Sequence, residues 1–440
     1  MTTFADPSTS APLDLDEIDI HSIPRYTERG YPWAEWDLLR ETAPCFWYER
    51  DEIAPFWAIT RHADVKAIGA DAGRFVNGGG RLRLKSLDHD QRWTDSRRKK
   101  IDLRHWDIDE PEDMVFFDAP RHTEMRMLTA RHFTPARCRE MAQELATNAE
   151  RFTAAFVARL EAGETVDLVH DYAVALPLVT ICSMMGVDQA DWEDIHRWTD
   201  ALFDVDSMRF AHPGEDRRTM RKRLHLEYYD YIAGLMAEKR SHPGDDLATL
   251  LVQAGLDGQP LTDQQLHGYL SLLIAAGNET TRNALSRGIL ALVDHPDQAQ
   301  RLMGDPDRFV EPAVDEVVRW TTPVIQFART ATVDVELHGQ RIRAGQHVGL
   351  WYGAANRDPR VFDRPYELDI SRQPNEHLGF GHGAHFCLGA NLAKWELRAA
   401  FRALASTQVL ARLERAAEPL WLTDLHVGAY KEAQVRYTSS

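Results

Sequence analysis

A mainly α protein with small β-sheets is what this chain predicts, and three observations carry the prediction. Apolar residues recur at helical spacing over long stretches, strand-like alternation is confined to one late segment, and turn formers come in short clusters. No low-complexity linker or internal repeat divides the sequence. The 68 acidic against 51 basic residues give a net charge of −17, which argues against nucleic acid or an anionic membrane surface as a partner.

In chain order, Met1 to Glu17 carries Asp6, Asp14 and Asp16 but no Lys, Arg or apolar run, so residues 1–20 read as a flexible segment and not a secretion signal. Residues 21–440 then form a single domain. Helical periodicity marks Pro135 to Leu160, Arg217 to Arg240, Asp263 to Val293 and Val310 to Trp320, the last begun by Pro312. The apolar stretch Tyr172 to Val187 is shorter than the ~20 residues that a bilayer requires. Strand character falls in Thr330 to Tyr352, where Val333 to Leu337 alternates and His338-Gly339-Gln340 marks a turn. Cys45, Cys138, Cys182 and Cys387 are scattered without a paired motif, which fits a reducing, cytoplasmic setting. A monomer is expected.

The segment Phe380-Gly-His-Gly383-Ala-His385-Phe-Cys387-Leu-Gly389-Ala390 leads into a helix with Ala393, Leu397, Phe401 and Leu404 as its apolar stripe. A cysteine at a helix start meets free N–H groups and the positive end of the dipole, which favour thiolate. Gly383 and Gly389 let the backbone pass close to a flat group. A dinucleotide fingerprint, a zinc site built from His377, His382, His385 and Cys387, and an inert buried cysteine are the competing readings of this loop.

Inside the Asp263 helix, opened by a capping box of Thr262 and Gln265, lies Ala276-Gly277-Asn278-Glu279-Thr280-Thr281. Gly in mid-helix costs about 1 kcal/mol, so it serves either close packing or a local loosening of the helix. Glu316 and Arg319 are an i,i+3 pair. Asp118-Ala-Pro120-Arg-His122 precedes Arg126, which shares a helix face with His122.

Together these segments are similar, in their order, to the cytochrome P-450 superfamily. The cysteine loop resembles its haem-binding loop, Ala276 to Thr281 its distal-helix signature, and Glu316 and Arg319 with Arg372 its structural Glu-x-x-Arg network. The resemblance implies the P-450 fold, with haem b between a long central helix and the cysteine loop. It makes Cys387 the axial iron ligand, and His122, Arg126, Arg329 and His385 the propionate contacts. Phe380, Gly383, Gly389, Ala276 and Gly277 would border the haem. Glu279 and Thr280 would be the acid–alcohol pair that delivers protons during dioxygen activation.

The implied pocket is apolar: Phe116, Leu272, Ala275, Ala276, Val324, Ile325 and Phe327, with His426 or Val427. That lining, and a likeness to bacterial members acting on terpenoids and steroids, suggests hydroxylation of a lipophilic small molecule with O2. Fatty acids, alkyl aromatics and aromatic ethers are alternative substrates. A peroxide-driven hydroxylase and a haem-binding sensor are alternative functions. Electrons would come from an iron–sulfur ferredoxin and a separate NAD(P)H ferredoxin reductase, docking near Arg121, Arg131, Lys394 and Arg398. The basic run from Arg92 to Arg104 has no assigned role.

Overall fold

The computed structural model describes residues 14–78, 81–204 and 207–438. Helices dominate. The longest, Asp263–Asp294, is opened by the expected box: the Gln265 amide donates to the Thr262 hydroxyl at 3.2 Å and the Thr262 amide to the Gln265 side chain at 3.0 Å. Around it pack helices Ala175–Met185, Trp192–Phe203, Arg217–Ser241, Pro306–Thr321 and Ala390–Ser406. Helix Ala142–Glu161 lies against Ala390–Ser406, and short Arg121–Ala130 sits at the edge of the site. Their apolar faces merge into one core, in which Leu270, Ile274, Ile289 and Phe401 are fully buried.

The main sheet runs in the order Cys45–Arg50, Ile53–Ile59, His347–Trp351, Gln326–Ala331, Phe75–Val76. Ile53–Ile59 and His347–Trp351 are parallel, and the other neighbours are antiparallel. The late strands and the turn at His338-Gly339 lie in the segment that alternates, but three N-terminal strands were not expected. Their cue was Phe46-Trp-Tyr and Phe56-Trp-Ala-Ile on either side of Asp51-Glu52. Both faces of these strands are largely covered, so alternation is weak.

Two boundaries also change. Pro312 is inside its helix, which starts at Pro306 behind the Asp305 cap. Residues 1–13 lie outside the described residues, as do Gly79 and Gly80, but Ile18 and Ile20 are buried against Trp36, Tyr48 and Phe56. The N-terminal segment is therefore core-docked well before residue 21. One stretch, Leu168–Met185, is apolar and long enough to cross a membrane, and most of it is buried in the helical core.

Candidate active site

Cys387 precedes helix Ala390–Ser406, with its amide donating to the Phe380 carbonyl at 2.9 Å. Gly381 and Gly383 take φ of +71° and +79°, which only glycine adopts cheaply. At Gly383 the close neighbour is the chain itself, because a Cβ would run into the Gly69 carbonyl. Gly389 has φ of −86° and open space around it. Loop–helix packing, together with its torsion, thus accounts for glycine at position 383.

The Cys387 side chain is enclosed by protein yet reachable by solvent, the signature of a residue on an interior space. Burial pushes its thiol up, against the Gly389 amide and Arg126, which pull the other way. Burial thus opposes the pull of the helix start toward thiolate. A bound iron would supply the missing stabilisation, since coordination deprotonates a thiol. Cys45, Cys138 and Cys182 are buried, with thiols pushed up to about 12, 11 and 12 by burial, as small apolar residues would be.

Four bases converge near this loop. The His122 and His385 rings lie 4.0 Å apart between centroids. Arg126, partly exposed, donates to the Phe386 carbonyl at 2.7 Å, while buried Arg329 donates to the Ala328 carbonyl at 2.8 Å and faces Tyr352. Burial, then His122, Arg329 and Arg126, drive the cationic form of His385 far down, and no carboxylate of the described chain offsets them there. Such a basic cluster fits a ligand bearing carboxylates.

On the central helix an accessible stripe runs through Leu272, Ala275, Ala276 and Thr280, while Leu273, Ile274, Asn278 and Glu279 are buried. The spacing is one helical face. Gly277 is not loosened: the helix is continuous, and Ile181 side-chain carbons lie 3.2 Å from where a Cβ would sit. Packing, not a groove, explains this glycine. A thiol, four bases and a stripe of small residues together suit haem.

Glu279 and Thr280 point apart, as adjacent helical residues must. The Thr280 hydroxyl donates to the Ala276 carbonyl at 3.0 Å. Glu279 is gripped by Arg282 and receives the Asn283 amide at 3.1 Å, and Arg282 also binds Asp200 at 3.0 Å. Asp200 and Arg282 were missed by the sequence reading, although Glu279/Arg282 repeats the i,i+3 spacing of Glu316/Arg319.

Of the expected pocket, Phe116 stacks on Trp93 at 6.2 Å, and Val324 and Phe327 are partly accessible. Ile325 is corrected: it is buried in the cluster of Ile18, Tyr48 and Phe56, apart from the cluster that takes in Val324 and Phe327. Val427 is likewise buried, with Leu422, Ala429 and Phe203, though it pairs with Val324. His426 bonds the Gln326 carbonyl at 2.6 Å, its ring against Phe327. Three of the four cations expected to face a ferredoxin are paired: Arg121 with Glu110, Lys394 with Asp315 and Arg398 with Glu311. Arg372 reaches Glu316 at 3.1 Å, joining Arg319.

A sequence model of the family Cytochrome P450 matches residues 91–407. The steroid C26-monooxygenase of Mycobacterium tuberculosis is 34% identical over 449 residues, covering 99% of this chain and 95% of that one. The methyl-branched lipid omega-hydroxylase of the same organism is 39% identical over 289 residues, 66% of each chain. Among solved structures, Mycobacterium marinum cytochrome P450 CYP268A2 in complex with pseudoionone superposes with a TM-score of 0.83 at 33% identity, covering 98% of this chain and 100% of that one. The matched range takes in the cysteine loop, the basic cluster and the central helix, and the chain belongs to the cytochrome P450 family.

Proposed function

We propose that this haem-thiolate monooxygenase hydroxylates a lipophilic small molecule of terpenoid or steroid type. The accessible stripe Leu272, Ala275 and Ala276 carries the reading, because it offers apolar contact with Thr280 as its polar member. The names of the relatives, a steroid monooxygenase and a branched-lipid hydroxylase, agree with such a substrate.

Bound haem supplies the redox chemistry, which consumes O2, two electrons and two protons to turn a C–H bond into an alcohol and release water. Cys387 holds the iron; His122, Arg126, Arg329 and His385 hold the propionates. Glu279 supplies protons, and Thr280 accepts from the water that carries them while its own hydrogen rests on the Ala276 carbonyl. The electron donor is a ferredoxin with a separate NAD(P)H reductase. With three of the four cations already paired, Arg131 is the remaining one for that contact.

The reduced protein under carbon monoxide should show the long-wavelength Soret band of thiolate ligation. A histidine-type spectrum would overturn the assignment of Cys387. A spectral-shift titration with terpenes, steroids, fatty acids and aromatic ethers then tests the substrate class, and binding confined to the last two groups would replace it.

A further inference from the structure

A hollow of about 310 Å3 opens at the surface between His170, Asp204, Ser207, Met208, Arg209 and Lys431. His170 is fixed there by its Nε2, which lies 2.9 Å from the Lys431 carbonyl. A carbonyl only accepts, so Nε2 carries the hydrogen and Nδ1 presents a lone pair. That Nδ1 is buried without a partner. The His196 ring follows, 6.1 Å away between centroids, and its Nδ1 is also buried and unpartnered. One turn further along the same helix face stands Asp200, only 3% exposed, with Oδ1 on Arg282 and Oδ2 unpartnered.

Arg282 continues the series to Glu279, its own Nε unpartnered, and Asn278 beside them has a free Oδ1. Five unpartnered buried polar atoms in one file are too many to leave dry, since each costs about 1–3 kcal/mol. Interior water is the usual remedy for such groups.

We propose that His170 and His196 are the solvent end of a water-filled proton route that leads past Asp200 to Glu279. The route rests on the reading of Glu279 and Thr280 given above. A proton from solvent adds to the lone pair of His170 Nδ1, returns to the next water, and passes by His196 and Asp200 Oδ2 to the Glu279 carboxylate. No electron moves, and each group regains its starting state when the following proton enters. Burial disfavours the charged form of both imidazoles, with His196 pushed down to about 4. Asp167 and Asp200 favour the charged forms against Arg209 and Arg282.

The first test needs no variant. A high-resolution crystal structure of the haem-loaded protein should place waters on His170 Nδ1, His196 Nδ1, Asp200 Oδ2 and Asn278 Oδ1, and a dry file overturns the proposal. The second compares His170→Gln/His196→Gln with Thr280→Ala, using a surrogate ferredoxin and reductase and the best-binding compound of the spectral screen. The double variant should slow the proton-dependent step by about tenfold and raise its solvent isotope effect. If Thr280→Ala releases peroxide but the histidine variant matches the parent in coupling and isotope effect, the route is wrong. If neither variant uncouples, the proton-pair reading falls and takes the route with it.

Discussion

Two Glu/Arg pairs with the same i,i+3 spacing sit in two buried helices and differ in how completely they are satisfied. At Glu316/Arg319 every N–H of the guanidinium is used: two on Glu316 at 2.7 Å, the others on the carbonyls of Asn356, Pro365 and Glu367. Glu316 also takes the Asp369 amide, Arg372 and Asn375. At Glu279/Arg282 the guanidinium Nε and one oxygen of Asp200 have no partner, and an accessible helix face lies alongside. A saturated network has a single arrangement and reads as a structural knot; an unsaturated one beside open space retains states to move between.

The knot should therefore fail hardest. Glu316→Gln leaves Arg319 buried without its counter-charge, at about 3–5 kcal/mol. The expected outcome is a large drop in the denaturant midpoint and poor haem loading, and a variant as stable as the parent would break the contrast. Glu279→Gln should cost less, about 1–3 kcal/mol, because Asp200 still balances Arg282. Its main effect should be on chemistry: product per electron falls severalfold while the carbon monoxide spectrum stays normal.

That contrast was only half legible in the sequence. Cys387, Glu316 and the central helix stand in contiguous motifs, so local spacing exposed them, and the Thr262/Gln265 box fixed where that helix begins. His196 and Asp200 share one helix, but that helix, His170 and Arg282 belong to three separate elements, and nothing in local spacing says that they meet. Gly277 was legible as special with packing as one of two readings, and Gly383 as special but not as packing; their neighbours Ile181 and Gly69 are remote in sequence and could not be named. Ile325 was misplaced because it packs on Ile18, Tyr48 and Phe56, residues remote in sequence, while Val324 and Phe327 join another cluster. The N-terminal strands escaped because burial on both faces erases alternation.

A third buried carboxyl sharpens the contrast from the stability side. Glu396, on the cysteine helix, is pushed up to about 8 by burial, which outweighs the Thr180 and Thr281 hydroxyls that favour its charged form. It has no basic partner among these causes, and one oxygen is unpaired. Between its ordinary value of 4.5 and about 8 the folded state holds a proton that the unfolded state has lost. Stability from this group is therefore complete below 4.5 and falls with rising pH, by up to about 1.4 kcal/mol per unit. Glu396→Gln should flatten that slope in thermal melts between pH 5 and about 8, and an unchanged slope would mean that the carboxyl is ionised in the fold.

Thr280→Ala should have the smallest effect on stability. Alanine regains helix propensity, the lost hydroxyl bond to Ala276 is a local one that water can replace, and the balance is within ~0.5 kcal/mol. The melting temperature should stay put while peroxide release rises. This outcome separates the two regions most cleanly, because a residue on the open side of the unsaturated network would then matter to the reaction and not to the fold. Unchanged coupling in Thr280→Ala would make the accessible stripe a mere packing feature, and the unsaturated pair behind it would need another explanation.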